Sequence, residues 1–178
     1  TKIGLDKSME KLASGFRINR AGDDAAGLAI SENLKAQVRG LKQASRNAQD
    51  GISLVQVAEG AMNEVSSILI RLRELSVQAA SDTIGPVERQ FLNVEYDQLV
   101  QEIDRIAEGT EFNGTPLLAG VGSILDFQVG TRNNPEIDRI SFDASKADAN
   151  SAALGINLTS VSDKASAQNA LGAIDQAI

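Results

Sequence analysis

The sequence predicts a mainly α fold, long antiparallel heptad helices forming a coiled-coil or bundle core, with a small β-hairpin region. Three observations predict it. Apolar residues recur in alternating steps of four and three from Ile30 to Ala79 with no proline among them, the spacing that keeps one seam facing a partner helix. A second run of the same kind follows Gly85-Pro86. Aromatic residues make up only 3% of the chain and Trp is absent, so the core is built from Ala, Leu, Ile and Val. Small seam residues of that kind suit close helix packing better than the walls of a deep pocket.

Taken in order, the first stretch places Leu5, Met9, Leu12 and Phe16 on one helical face and breaks at Ser14-Gly15. The break leads into "AGDDAAGLAI". Asp23 there is an N-cap candidate, and Asp24 in the first turn complements the helix dipole. Two adjacent carboxylates could instead hold Ca²⁺ or act as acid and base, but nothing nearby supplies further oxygen ligands in an EF-hand pattern, so capping is the better reading.

A long helix is then expected over about 25–82. Its seam runs Ile30, Leu34, Gln37, Leu41, Ala44, Ala48, Gly51, Val55, Ala58, Met62, Val65, Leu69, Leu72, Ser76, Ala79. The small residues Ala44, Ala48 and Gly51 imply close approach of a partner helix. In "SDTIGPVERQ", Gly85 closes one element and Pro86 opens the next, where its missing N–H would be unpaired anyway. The second helix, about 86–108, carries Leu92, Tyr96, Leu99, Ile103 and Ile106. A short turn between two heptad helices makes an antiparallel pair.

Asn113-Gly114 is a tight-turn signal. "SILDFQVG" and "EIDRISFDA" alternate apolar and polar residues on either side of "TRNNP", predicting a β-hairpin over about 123–143. Residues 143–163, rich in Ser, Ala, Asp and Asn, read as an irregular surface segment. From about Lys164 to Ile178 a third helix begins, with Ala167, Leu171, Ile174 and Ile178 as its stripe.

Composition narrows the function. The chain has 178 residues with neither His nor Cys, which excludes zinc sites built on those ligands, Cys- or His-based triads, disulfides and thiol redox motifs. Neither a catalytic residue nor a cofactor site emerges, and no enzyme is expected; "GVGSIL" lacks the third glycine of a nucleotide fingerprint and precedes a hairpin. Net charge is −7, divided as +3 over residues 1–50 (9 basic, 6 acidic) and −10 over residues 51–178 (8 basic, 18 acidic). Such polarity can steer head-to-tail association, and the acidic balance argues against nucleic acid. No apolar run is long enough for a membrane span, and no secretory signal peptide is expected. Asn113-Gly-Thr and Asn157-Leu-Thr are formal glycosylation sequons, read as incidental.

These residues also carry a resemblance. "LASGFRINRAGDDAAGLAISENLKAQVRGLKQASRNAQDGISLVQVAEGAMNEV" is similar to the N-terminal signature of bacterial flagellins, and "LIRLRELSVQAA" and "EIDRIAEGTEFNGTPLLAG" continue it in order and spacing. The likeness covers residues 5 to about 142, and "ALGAIDQAI" looks like the opening of the family's C-terminal helix. Variable outer domains would insert between about 143 and 163, where this chain has little room. The resemblance implies residues 1–24 as the end of the N-terminal inner helix and the spoke, and residues 25–178 as the core domain. It implies a structural subunit, exported through the flagellar type III apparatus with a flagellin chaperone and without a cleaved signal peptide. That subunit would polymerise with its own kind into the extracellular filament used for motility. The extreme N-terminus and most of the C-terminal helix are expected to lie outside this chain. Hook–filament junction proteins share the architecture and stand as the alternative, which the flagellin-like "SGFRINRAGDDAAG" and "TEFNGTPLLAG" disfavour.

One surface follows from spacing. Arg71 and Leu75 lie four apart on the flank of the seam, and Glu95 is nearly as far from the turn as Arg71, so Arg71, Leu75, Gln78 and Glu95 fall into one patch. From spacing alone, the alternative is an ordinary interhelical ion pair beside a core leucine. By resemblance, these positions match the flagellin surface recognised by Toll-like receptor 5 and buried between filament subunits; Ile70 stands where receptor-activating members commonly have Gln. The competing class of function is a discrete coiled-coil binding module capped by a hairpin. Part of the seam between Val55 and Leu72 is expected to be left exposed, favouring dimerisation or borrowed packing.

Overall fold

The computed structural model describes residues 2–178. Its elements are α1 (Lys2–Ser14), α2 (Ala25–Ala79), α3 (Pro86–Gly109), β1 (Glu111–Phe112), β2 (Thr115–Pro116), β3 (Ile124–Gln128), α4 (Pro135–Asp138), β4 (Arg139–Asp143) and α5 (Lys164–Ala177). The mainly helical fold with a small β region is the one the sequence predicts. The chain forms two compact units: one of the residues up to Ala48 with Gln128–Arg139, the other of Gln49–Phe127 with Ile140–Ile178.

In the first unit α2 starts where the carboxylates stand, but the capping residue is Asp24. Its Oδ1 accepts from the Gly27 N–H at 2.9 Å, and its carbonyl accepts the first helical bond from Leu28. Asp23 lies one residue too early for that role, so the expected assignment is corrected by one position. Upstream, Glu10 on α1 accepts from Asn19 and Arg20, tying the connecting segment back to the helix. Of the predicted first face, Leu5, Met9, Leu12 and Phe16 are all exposed.

In the second unit α2, α3 and α5 share one core. Leu72, Leu75 and Ala79 of α2 meet Tyr96 and Ile103 of α3 and Ala167, Ala170 and Ile174 of α5, all fully buried. Both α3 and α5 run antiparallel to α2. Arg71 pairs with Glu95 across α2 and α3, while Lys164 bonds Asp82 and Asp175 bonds Arg73, so α5 climbs as α2 descends. Asp163 caps α5, its Oδ1 accepting from the Ser166 N–H, and those bonds hold its carboxyl below the usual carboxylate range.

The seam of α2 departs from the expected one in an informative way. Positions 51, 58, 65, 72 and 79 are buried as predicted, but at the intermediate step Leu54 turns inward while Val55 and Met62 stay 48% and 55% exposed. Further along, Leu69, Leu72, Leu75 and Ser76 are all buried. A helix with two helical neighbours needs a stripe wider than a two-helix seam. Adjacent apolar pairs such as Leu54-Val55 do not reveal which member faces the wider side.

The small residues of α2 also serve a partner other than the one expected. At Gly51 a Cβ would sit 3.2 Å from the Phe127 ring of β3, and in the first unit Gly40 is approached by Thr131 and Asn47 donates to the Gln128 carbonyl at 2.9 Å. Strand and loop, not a helix, fill this space. The Asn113-Gly114 turn is as predicted, both residues left-handed (φ 51° and 75°) between β1 and β2, with Glu111 opposite Pro116 and Phe112 opposite Thr115. Strands β3 and β4 pair as the predicted hairpin, whose loop carries the short α4, capped by Asn134.

Beyond β4, residues 144–163 contain no helix or strand, but they are not merely surface. Ile156 and Val161 are fully buried, and three polar groups of α3 fasten the segment. Asp104 accepts from the Ser151 N–H (2.7 Å) and hydroxyl (2.8 Å), Asn93 accepts from the Val161 N–H (2.9 Å), and Tyr96 shares a 2.6 Å bond with Thr159. Backbone donors without a strand partner are satisfied here by side chains. On α5, Ala167 and Ile174 are buried as predicted and Ala170 joins them, whereas Ile178 is exposed.

Candidate partner-binding surface

The patch around Arg71 sits wholly in the second unit. Arg71 Nε and Nη2 donate to Glu95 Oε1 at 3.0 and 2.8 Å, bridging α2 and α3, and Nη1 donates to Glu74 Oε2 at 2.9 Å one turn along α2. The bond donated to Glu95, then that donated to Glu74, raise the guanidinium pKa above its ordinary value. Both partners stay open to water, with side-chain exposures of 46% for Arg71 and 45% for Glu95. The pair therefore fixes a shape more than it stabilises the fold, as solvent-screened pairs do.

Gln78 lies two turns from Arg71 and is exposed beside it. Leu75 is not part of the surface. It has no exposed area and belongs to the core shared by the three helices, so of the two readings open from spacing, the structure gives the core leucine beneath an ion pair. The apolar part of this surface comes from residues the pattern did not single out. Ile70 and Val77 are 52% and 55% exposed and line a shallow groove with Arg73, Glu74 and Gln78. Their signal is visible once α2 has two neighbours: 70, 74 and 77 recur on the side opposite both.

A second open face lies lower on α2. Val55, Met62, Val65 and Leu69 line a groove with Phe142, Leu154 and Ile178. Val55 and Met62 are thus the portion of the expected seam left uncovered, whereas Leu72 is fully buried. Among the described residues no three acidic side chains gather as a metal site, and no helix is long and apolar enough to cross a membrane.

Known proteins match this architecture. The family model for the bacterial flagellin N-terminal helical region matches residues 1–123. A flagellin of Halalkalibacterium halodurans is 51% identical over 170 residues, covering 96% of this chain and 61% of that one. The flagellar filament 33 kDa core protein of Treponema phagedenis is 42% identical over 194 residues, covering 100% of this chain and 66% of its own length. The crystal structure of Bacillus cereus flagellin superposes with a TM-score of 0.63 at 32% identity, over 74% of each chain. This chain thus spans less than two thirds of the length of those two curated relatives. With a family model over most of its residues and relatives this similar, the chain belongs to the flagellin family.

Proposed function

We propose that the chain is the core of a structural subunit that polymerises with its own kind into the bacterial flagellar filament and serves motility. It has no catalytic role in this reading. One observation carries the proposal: exposed apolar rows run along helices of both units, from Leu5, Met9 and Leu12 on α1 and Ile30, Leu34 and Leu41 on α2 to Val55 and Met62 further on. Rows of that length are uncommon on a protein that works as a monomer and mark surfaces that other chains cover. The name of the Treponema phagedenis relative, a filament core protein, supports the same reading. The family resemblance extends it to export through the flagellar type III apparatus with a chaperone and to residence in the filament outside the cell.

The exposed cluster of Arg71, Glu74, Gln78 and Glu95 supports a second role, as an inter-subunit face that a host's Toll-like receptor 5 also reads. Arginine beside apolar side chains is a common composition of binding hot spots. Leu75 enters that role only by holding α2 and α3 in register beneath the patch.

Complementation tests the first reading. A flagellin-less strain supplied with this chain, joined to the remainder of a full-length relative, is expected to spread on soft agar and the empty strain to stay put. Secreted but non-motile product would favour the binding-module or hook–filament junction alternative.

A further inference from the structure

On α2, Lys35, Arg39, Lys42 and Arg46 recur at steps of four, three and four, so four cations form one row along the helix. Lys35 is anchored there, 2.7 Å from Glu32 and with its ammonium 4.7 Å from the centre of the Phe16 ring. Beside that row runs an exposed apolar one, Ile30, Leu34, Val38 and Leu41. The helix face is therefore half cationic and half apolar.

The second unit carries its opposite. On α3, Val87, Phe91 and Val94 form an exposed apolar row, Phe91 at 72%. Glu88, Glu95 and Glu102 recur every seven residues beside it. At 100° per residue the cationic row leads its apolar row by roughly 110° around α2, and the acidic row leads its apolar row by roughly 70° around α3. The two faces have the same hand. When such helices dock antiparallel, apolar meets apolar while cation meets carboxylate; docked parallel, the charged rows fall on opposite sides.

We infer that the cationic–apolar face of α2 between Ile30 and Arg46 receives the acidic–apolar face of α3 of a second copy of this chain. This rests on the reading of the chain as a self-assembling subunit and names the surfaces that meet. Because the two faces differ, the contact is heterologous, and each copy keeps one of each free. Heterologous contacts build a ring where the rotation closes and an open filament where it does not, instead of a self-complementary dimer. Exposed charge pairs steer such association and weaken with salt.

The test is sedimentation velocity of the chain at about 50 mM and about 0.5 M salt, conditions on either side of physiological screening. The wild type is expected to sediment faster as concentration rises at low salt and less so at high salt. K35E/R39E/K42E and E88K/E102K, each alone, are expected to lose at least about tenfold in self-affinity, a difference of about 1.4 kcal/mol. Their equimolar mixture should recover it, because each reversed face then meets its complement. Recovery also shows that both variants are folded. A wild type that stays monomeric, a reversed variant that associates like the wild type, or a mixture that stays apart would each overturn the contact. Association unchanged by the reversals but abolished by Val55→Asp/Met62→Asp would place the self-contact in the groove lower on α2, and likewise overturn it. None of these outcomes touches the filament reading, which fails only if cells carrying the full-length chain build no filament.

Discussion

Leu75→Ala is expected to lower the melting temperature sharply, by a stability loss of about 2–5 kcal/mol, the range for emptying a fully buried aliphatic site that cannot collapse. Leu75 is packed among Tyr96 and Ile103 of α3 and the α5 alanines, side chains fixed on two separate helices, so little can move in to fill the space. The contrast with its neighbour is what matters. Arg71→Ala removes an exposed ion pair and is expected to leave the melting curve nearly unchanged while abolishing receptor signalling in a reporter-cell assay. Any receptor defect of Leu75→Ala should then follow the loss of fold and be relieved at lower temperature. If Leu75→Ala melts like the wild type, the leucine is not a core residue and the three-helix arrangement is wrong.

The second large effect is expected at Asp104→Ala. Its carboxylate accepts two hydrogen bonds from Ser151, a residue only 4% exposed, so the substitution strands a buried N–H and a buried hydroxyl. At roughly 1–3 kcal/mol for each stranded group, less whatever water can enter, the expected loss is about 2–4 kcal/mol. It should be local in origin. Amide exchange over residues 151–161 is expected to accelerate before that of α3, because the segment has no ladder of its own to fall back on. Asp104→Asn keeps one acceptor and should fall between. Wild-type exchange in the Ala variant would mean that Ile156 and Val161 hold the segment by burial alone.

These two sites mark where the sequence speaks and where it is silent. The helices, the Asn113-Gly114 turn and the hairpin are legible because local chemistry specifies them: heptad spacing, Pro86 at a helix start, left-handed turn residues, strand alternation. The cap at Asp24 is missed by a single position because both aspartates offer the same acceptor, and only the helix start separates them. Val55 against Leu54 is undecided for another reason. Which of two adjacent apolar residues turns inward depends on what packs against α2, and Leu54 is buried in a cluster with Leu117 and Leu118, about sixty residues on in the chain.

The candidate patch around Arg71 is half legible. Arg71 and Glu95 meet because an antiparallel pair brings equal distances from the turn to one level, which spacing alone predicts, and Gln78 is exposed two turns further along α2. Leu75 is drawn into that patch by its i, i+4 relation to Arg71, yet it points toward a third helix that no local pattern announces. Asp104 and Asn93 were invisible as clamps for the same reason: their partners lie in a segment without periodicity.

Electron microscopy of negatively stained protein tests the central claim most directly, comparing this chain with the same chain continued to a relative's full termini. The account predicts filaments of uniform diameter from the extended chain, and none once K35E/R39E/K42E is introduced. Compact particles of fixed size from the extended wild-type chain would contradict it.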